Sequence, residues 1–419
     1  MGVEEEVITQ ARKVKESSRI LANTSTEVKN QALLAVAQKL EESRDKIIKI
    51  NKIDMSEGRE KGLSTALLDR LALNEKRIIG MANGLREVVQ LEDPVGEVLG
   101  IKKRPNGLEV GKIRVPLGVV GIIYEARPNV TVDVAGLCLK AGNAVLLRGG
   151  SEAFRSNQVL TEIIQESISE AGLPGESVQL VQTTDRKAVE VMFKLNDYLD
   201  VLIPRGGAGL IQRVVQESRV PTIETGVGNC HVYVDASADI DMAVKIVYNA
   251  KTDRPAVCNA AESLLIHKDI ASDFLPLIHK KFSQNKVELR GCPESRKIIF
   301  HIKEATEDDW YEEYLDYIMS VKIVDDINEA LNHIYTYGSQ HSEVIVTRDY
   351  ENANKFLKEV DAAAVYVNAS TRFTDGGQFG MGAEIGISTQ KLHARGPMGL
   401  KELTSIKFII RGQGQIREG

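Results

Sequence analysis

The 419-residue sequence has little of several features that define whole classes of protein. It has no run near the roughly 18 consecutive apolar residues that a membrane-spanning helix needs, which excludes a membrane protein. A net charge of only −6 argues against a broad nucleic-acid-binding surface. The first residues lack the basic and apolar regions of a secretory signal, so we expect a cytoplasmic protein that binds neither membrane nor nucleic acid.

Cysteine is also scarce, with four residues in the whole chain. Their spacing gives neither a C-x-x-C pair nor a zinc-binding pattern, and disulfides are not expected in a cytosolic chain of this size. Cys138 lies in an apolar helical segment, Cys230 begins a predicted strand, and Cys292 lies beside a proline in a polar loop. These three are predicted to be unreactive, which leaves Cys258 as the candidate reactive thiol.

The glycine fingerprint G-x-G-x-x-G of ordinary dinucleotide-binding folds is absent as well. The chain has instead a long alternation of predicted strands and helices. The apolar run at 118–124 is typical of a strand buried on both faces, and the first alternation continues to a strand at 221–224. A second α/β alternation follows over 231–367. The pattern predicts an α/β protein with a doubly wound parallel sheet.

Two regions lie outside this alternation. The apolar residues of 1–92 have helical spacing, with Thr24 and Glu27 as a predicted capping box and Asn74 as a second cap. Residues 108–115 predict an exposed ribbon, and the tail from Ile406 predicts a strand that could pair with it.

Cys258 follows Pro255 in a stretch of small residues that predicts the start of a helix running toward Glu262. The partial positive charge of a helix N-terminus, together with Arg254, would lower the pKa of the thiol and increase its thiolate fraction. From these residues alone, a reactive thiol and a buried structural one stay equally open.

Two further candidates follow predicted strands, where ligands bind in doubly wound sheets. Asn129 comes after the strand at 118–124 and could donate a hydrogen bond to an oxyanion. Glu224 comes before a glycine turn and could act as an acid or a base. Each has a structural alternative, since polar residues are common in solvated turns.

Possible phosphate-binding groups also lie at predicted strand ends. Gly206 and Gly207 open a helix whose backbone N–H groups could hold a phosphate. Arg148 and Ser151 could hold a ribose or its 2′-phosphate. Plain glycine turns and a surface turn are the structural alternatives.

The order Asn129, Glu224, Cys258, with a proline shortly before the cysteine, resembles the aldehyde dehydrogenase superfamily. That superfamily binds its nucleotide without the ordinary glycine fingerprint. The resemblance runs along nearly the whole chain and is strongest to the branch that acts on glutamyl phosphate. The segments that carry it are 123–131, 203–207, 254–260, 340–343, 367–380 and 393–397.

The resemblance implies NADPH-dependent reduction of L-glutamate 5-phosphate to L-glutamate 5-semialdehyde, with release of phosphate, in L-proline biosynthesis. Cys258 would form a thioester, Asn129 would hold the oxyanion, and Glu224 would assist proton transfer with Cys258. The alternatives are an NAD(P)-dependent oxidising aldehyde dehydrogenase, a non-catalytic protein on the same fold, and a thiol hydrolase with a Cys/His pair.

The resemblance also implies binding residues. NAD-preferring relatives usually carry a glutamate at position 151, which would repel a 2′-phosphate, so Ser151 favours NADPH. The implied cofactor-binding residues are Arg148, Ser151, Gly206, Gly207 and Glu313, with Glu312 as the alternative to the last. The candidates for the amino, carboxylate and phosphate groups of the substrate are Arg127, Arg254, His341, Glu343 and Arg372.

The domain organisation expected from the resemblance has three parts. These are a cofactor-binding domain of 1–104, 119–229 and 368–400, a catalytic domain of 230–367, and oligomerisation strands at 105–118 and 401–419. The strands would pair subunits in a homo-oligomer, either a dimer or a tetramer. Because acyl phosphates are labile in water, we also expect contact with the glutamate kinase that makes the substrate.

Overall fold

The computed structural model describes residues 2–417, apart from the side chain of Ala66, and divides into two compact units. Within the described residues, unit 1 contains the chain up to Thr225, Gly380–Gly386 and the chain from Met398, and unit 2 contains Gly226–Phe379 and Ile387–Pro397. Most of 368–400 therefore packs in unit 2, which differs from the expected cofactor-binding domain. Residues 1, 418 and 419 of the expected domains lie outside the described residues.

Helices form the first part of unit 1, followed by two strands. The predicted capping box is wrong, because the Thr24 hydroxyl donates to the Ile20 carbonyl, while Ser25 accepts the Val28 N–H and caps α2. Asn74 caps α5 as predicted. The bounds are α1 Val3–Leu21, α2 Thr26–Glu42, α3 Arg44–Glu60, α4 Thr65–Leu71, α5 Glu75–Gln90, β1 Val98–Lys103 and β2 Glu109–Pro116.

A parallel four-stranded sheet in the order β5-β4-β3-β6 follows in unit 1. Strand β3 is buried at every residue, as its apolar run predicts. The strand predicted at 221–224 is wrong, since only Thr222 bridges to Leu202 and Pro221 has no N–H to continue a ladder. The bounds are β3 Val119–Tyr124, α6 Asn129–Lys140, β4 Ala144–Arg148, α7 Phe154–Glu170, β5 Val178–Leu180, α8 Lys187–Met192, β6 Val201–Arg205 and α9 Ala208–Glu217.

Unit 2 contains a parallel seven-stranded sheet in the order β10-β9-β11-β8-β7-β12-β13. Its core packs apolar strand residues against flanking helices that include Phe274 and Phe282. The bounds are β7 Cys230–Val234, α10 Ile240–Thr252, β8 Ala261–His267, α11 Lys268–Phe282, β9 Glu288–Gly291, α12 Pro293–Ile298, β10 Lys303–Glu304, α13 Glu307–Tyr311, β11 Ile318–Val324, α14 Ile327–Tyr337, β12 Ser342–Val346, α15 Tyr350–Glu359 and β13 Ala364–Val367. The sequence did not predict β9, β10, α12 and α13.

Residues 253–260 form a series of turns between α10 and β8, which we call the Cys258 turn. The helix predicted from here toward Glu262 is wrong, because Ala261 already begins β8, which lies between β7 and β11 in the sheet. Pairing on both edges overrides the local helical preference of this short segment. Cys258 therefore lies in a turn and not at the N-terminus of a helix, contrary to the prediction.

The last strands are β14 Ile387–Ser388, β15 Gly396–Pro397 and β16 Thr404–Arg411. Strand β16 pairs antiparallel with β2 along its whole length, from Thr404 opposite Pro116 to Arg411 opposite Glu109. This confirms the predicted pairing of the tail with the ribbon, while β1 on the other edge of β2 was not predicted. Across the described residues, no helix is long and apolar enough to cross a membrane.

Candidate active site

Cys258 is partly exposed in its turn, whereas the other three cysteines are buried. Burial raises the pKa of the Cys138 and Cys230 thiols, so both stay protonated at neutral pH. Cys292 is nearly covered at the start of α12. The structure therefore leaves Cys258 as the cysteine that a substrate can reach.

The backbone of unit 2 holds Cys258 by close contact. A Cβ atom on Gly228 would lie 1.6 Å from the carbonyl oxygen of Cys258, so only glycine fits at position 228. The Cys230 thiol donates to the same carbonyl oxygen at 3.2 Å. The sequence showed Gly228 only as part of a glycine turn, and its contact with the candidate nucleophile was not predicted.

Glu313 contacts the same segment. Its carboxylate accepts the N–H of Gly228 at 2.7 Å, and burial raises its pKa. Glu312, the alternative ribose-binding residue, is exposed. Of the two glutamates, Glu313 is the one bonded to the backbone that supports the Cys258 turn, and its contact with a nicotinamide ribose stays a prediction.

Arg372 braces the Cys258 turn at both ends. Its Nε donates to Asp253 at 3.1 Å, and another guanidinium N–H donates to the side-chain oxygen of Asn259. The Asn259 amide in turn donates to the Thr374 carbonyl at 2.8 Å. Only 15% of the Arg372 side chain is exposed. The bracing role was not predicted, and a clamp on the substrate carboxylate stays a prediction.

A buried ion pair joins the two elements that flank the turn. Lys251 in the last turn of α10 pairs with Glu262 in β8, and both side chains are fully buried. Glu262 also accepts the N–H of Leu315 at 3.1 Å. Burial raises the pKa of Glu262 to about 8 and lowers that of Lys251. The pair ties the end of α10 to the start of β8.

His341 and Glu343 have no exposed surface, and their contact with the substrate stays a prediction. Strand β12 runs between β7 and β13, and Glu343 accepts the backbone N–H of His231 at 2.8 Å. The Nδ1 of His341 lies 2.8 Å from the Ser342 hydroxyl and 3.6 Å from the Cys230 sulfur. Both side chains belong to the core that supports the sheet.

The two remaining arginine candidates lie at the surface of their units. Arg254 is exposed within the Cys258 turn, and Arg127 is half-buried in the turn before α6. Either guanidinium has the chemistry to bind a phosphate, and the assignment stays a prediction.

In unit 1, Asn129 is the first residue of α6, and its side-chain amide donates to Asp133 at 2.9 Å. Glu224 is half-buried in the irregular segment that follows the single bridge at Thr222. The sequence pointed to Asn129 and Glu224, whereas Asp133 was not predicted.

A cavity of about 370 Å³ lies at the carboxyl ends of the strands in unit 1, and Arg148 and Ser151 line it. Beside it, the N–H of Gly207, which precedes α9, donates to the Glu125 carboxylate at 3.0 Å. A Cβ atom on Gly206 would lie 2.6 Å from the same carboxylate. A side-chain anion thus occupies the backbone donor that was predicted to hold the pyrophosphate.

Arg186, just before α8, lines the same cavity and was not predicted. Burial lowers the pKa of Arg148, the nearby charge of Glu152 opposes this shift, and the charge of Arg186 adds to it. Two facing carboxylates, Glu125 and Glu152, are bonded to the backbone N–H groups of Gly207 and Ala126. Within residues 2–417 no carboxylate pairs with Arg186, so the two guanidinium groups favour an anionic ligand.

Comparison with known proteins places this geometry in a family. A sequence profile of the aldehyde dehydrogenase family matches residues 2–296. The gamma-glutamyl phosphate reductase of Halothermothrix orenii is 68% identical over 418 residues, which cover 100% of both chains. The chain belongs to the aldehyde dehydrogenase family, in its gamma-glutamyl phosphate reductase branch.

The structures of aldehyde dehydrogenase family members agree with this assignment. The gamma-glutamyl phosphate reductase of Thermotoga maritima is 52% identical, with a TM-score of 0.96 over 99% of this chain and 100% of that one. An acetylating aldehyde dehydrogenase from Geobacillus thermoglucosidasius, 18% identical with a TM-score of 0.73, shares the fold. The predicted aldehyde dehydrogenase-like α/β fold is confirmed.

Membership of the aldehyde dehydrogenase family implies a nicotinamide cofactor. The cavity of unit 1 fits such a group, because it lies at strand carboxyl ends and presents Arg148, Arg186 and Ser151 to an anionic ligand. The chain's own residues thus offer a nucleotide site that does not depend on the ordinary glycine fingerprint.

Proposed function

We propose that this protein reduces L-glutamate 5-phosphate to L-glutamate 5-semialdehyde, with release of phosphate, as a cytoplasmic enzyme of L-proline biosynthesis. The observation that carries the proposal is full-length similarity to gamma-glutamyl phosphate reductases at 68% identity. The partly exposed Cys258 on a braced turn supports it, because thioester formation needs an accessible thiol held in place.

Cys258 is the nucleophile of the proposed reaction. Its thiolate attacks the acyl carbon of the substrate, the carbon–oxygen bond to the phosphoryl group breaks, and phosphate leaves as the thioester forms. The bound nicotinamide cofactor supplies the hydride that reduces the thioester to the level of the aldehyde. When the carbon–sulfur bond of the thiohemiacetal then breaks, the semialdehyde leaves and Cys258 is regenerated.

Asn129 and Glu224 have supporting roles in the proposal. The Asn129 amide donates a hydrogen bond to the oxyanion that develops during acyl transfer. Glu224 assists proton transfer with Cys258 and does not activate water, because hydrolysis would destroy the thioester before its reduction. A Glu224→Gln variant with normal rates of thioester formation and reduction would contradict this role.

We further propose NADPH as the cofactor. Ser151 avoids the repulsion that a glutamate would exert on a 2′-phosphate, and Arg148 and Arg186 supply positive charge in the same cavity. The backbone N–H groups at Gly206 and Gly207 are suited to the pyrophosphate once the Glu125 carboxylate moves away. The degree of preference for NADPH over NADH is measured by the ratio of the two kcat/KM values.

The reverse reaction gives a sharp test. With glutamate 5-semialdehyde and NADP⁺, the wild-type protein should reduce more than one equivalent of NADP⁺ per active site only when inorganic phosphate is present, because phosphate must release the acyl group from Cys258 before the next turnover. A Cys258→Ser variant should lose at least about 10³-fold of this activity. The matched Cys292→Ala variant should keep it. Repeated turnover of NADP⁺ without phosphate would indicate a hydrolytic aldehyde dehydrogenase instead.

The proposal extends to two kinds of partner. Exposed strands of the β1-β2-β16 sheet are proposed to pair subunits in a homo-oligomer. Direct transfer of the labile acyl phosphate from glutamate kinase is proposed as well. Coupled assays with an excess of inactive Cys258→Ser protein test the transfer, since competition for the kinase would slow semialdehyde formation.

A further inference from the structure

Helix α6 carries a carboxylate that the proposed reaction does not use. Asp133 lies four residues after Asn129, and residues with this spacing share one face of a helix. The Asn129 Nδ2 donates to the Asp133 Oδ2 at 2.9 Å. The contact joins the oxyanion-binding candidate to a single acidic group in the first two turns of the helix.

We propose that Asp133 is a positioning residue that fixes the side-chain amide of Asn129 with its second N–H presented to the oxyanion. The inference rests on the proposed function, because it assigns Asn129 the oxyanion role. An ionised carboxylate only accepts hydrogen bonds, so Asp133 requires the nitrogen, and not the oxygen, of the amide to face it. Because the amide is planar, the direction of the second N–H is then fixed.

Without this acceptor, the Asn129 amide can turn over and present its oxygen to the reacting group. A carbonyl oxygen would repel a developing oxyanion, whereas a positioned N–H stabilises it. Asp133 therefore acts through Asn129, and its effect should fall on the rate of acyl transfer more than on the binding of substrate.

The surroundings of Asp133 suit this role. Burial raises its pKa to about 6, while the hydrogen bond from Asn129 and the charge of Arg205 lower it. Arg205 ends β6 and is the charged group that acts on Asp133 from a neighbouring element. At neutral pH the carboxylate is therefore ionised and accepts, whereas below about pH 6 a protonated Asp133 could donate to the amide oxygen and turn the amide over.

The nearly isosteric Asp133→Asn variant is the first test. Removal of an oxyanion hydrogen-bond donor lowers kcat by about 10²–10³-fold. Asp133→Asn keeps the Asn129 donor but no longer fixes its direction, so kcat should fall by a smaller factor, about 10- to 100-fold. The KM for glutamyl phosphate should stay within about threefold. The Asp133→Glu variant, which keeps an accepting carboxylate, should recover part of the loss. An unchanged kcat, or a rise in KM alone, would overturn the proposal, the latter indicating a direct substrate contact.

A double variant separates positioning from a general structural effect. If Asp133 acts only through Asn129, the Asn129→Ala/Asp133→Asn protein should be within about twofold of Asn129→Ala. A further tenfold loss in the double variant would contradict the inference. Thermal unfolding of each variant checks the fold, and Asp241→Asn, which removes an exposed carboxylate from the first turn of α10, is the matched control that should behave as wild type.

A readout without glutamyl phosphate or cofactor distinguishes failure of this inference from failure of the proposed function. Acylation of Cys258 by p-nitrophenyl acetate also develops an oxyanion, and it releases p-nitrophenolate in a burst. The burst rate should be about 10-fold or more lower in Asp133→Asn than in wild type. The burst rate of the wild-type protein should also decrease below about pH 6, and this decrease should be absent from the pH–rate profile of the variant. An unchanged burst in the variant overturns the inference even if glutamyl phosphate is reduced.

Discussion

At the residue scale, the position of Cys258 depends on a glycine that carries no functional group. Gly228 has an ordinary negative φ, which other residues also adopt. Glycine is therefore required at this position because a side chain would not fit, and not because of the backbone conformation. The Cys258 carbonyl occupies the place of the missing Cβ and accepts the Cys230 thiol beside it. Any side chain at position 228 must therefore push the Cys258 turn away from β7.

We predict that Gly228→Ala lowers the rate of thioester formation by at least about 100-fold, because a displacement near 1 Å at a reacting group has effects of this size. Burst kinetics with p-nitrophenyl acetate measure the change. The matched variant Gly84→Ala lies in α5, where an added Cβ meets nothing within 4 Å. It should keep full activity and gain about 0.5–1 kcal/mol of stability, since alanine favours helix interiors over glycine. Equal activity of the two variants would refute the steric argument.

The candidate site also shows which residues a sequence can reveal. The sequence pointed to Cys258, Asn129 and Arg148 as candidates, because their order and neighbouring residues match a family pattern. The bracing contacts could not be predicted, because they join residues that are far apart in the sequence. Arg372 and Asp253 are separated by 119 positions, and Cys230 and Cys258 by 28 positions. No local pattern in the chain records contacts over such separations.

At the scale of elements, local preference and sheet position compete at the Cys258 turn. The central strands of unit 2 could be predicted, because continuous apolar runs are typical of parallel strands buried on both faces. The start of β8 could not be predicted, because its Ala-Glu-Ser sequence is not typical of a strand. Its extended backbone depends on pairing with the two neighbouring strands, β7 and β11. The short strands β9 and β10 were missed for the same reason.

The ion pair between α10 and β8 gives a prediction about these elements. Lys251→Met should destabilise the protein by about 1–3 kcal/mol at pH 7, because it leaves the buried Glu262 side chain, whose pKa is raised, without its hydrogen-bond partner. Adding Glu262→Gln replaces the titratable carboxyl group with an uncharged amide and keeps an oxygen for the Leu315 N–H, so the double variant should recover most of this loss. Urea unfolding at pH 7 measures both. A double variant no more stable than the single one would contradict the assignment of the loss to the unpartnered Glu262 side chain.

At the scale of the whole molecule, the β1-β2-β16 sheet carries an apolar surface. Ile406, Phe408 and Ile410 alternate along one face of β16, and each is about half exposed. Such a row is typical of a protein–protein contact. The same sheet was expected to pair subunits from the family resemblance, and its apolar face supplies a physical reason.

We predict that Phe408→Glu lowers the molar mass measured by light scattering to that of a smaller assembly, because a carboxylate would be buried in the subunit contact. Ser405→Glu adds the same charge at an exposed position on the opposite face of β16, so it should leave the mass unchanged. A wild-type protein that is monomeric at micromolar concentration would contradict the prediction.

The pH dependence of stability follows from the buried histidines of unit 2. Burial lowers the pKa of His341 to about 4 and holds His333 neutral at still lower pH. The unfolded chain binds these protons near pH 6.5, so the contribution of the two histidines to the free energy of unfolding should fall as the pH falls from about 6.5 toward 4. Each histidine contributes a slope of about 1.4 kcal/mol per pH unit in this window. The buried carboxyl groups whose pKa values are raised, Glu262, Glu343 and Asp133, act in the opposite direction in the same pH range.

The His333→Gln variant isolates one such contribution. The difference between variant and wild type cancels the effect of the carboxylates, so the variant should lose about 1.4 kcal/mol per pH unit of slope between pH 6 and 5. The substitution also changes the free energy of unfolding at pH 7, but only the slope of that free energy with pH is compared. Urea unfolding at pH 5, 6 and 7 measures both proteins, and parallel slopes for the two would show that His333 is not held neutral by burial.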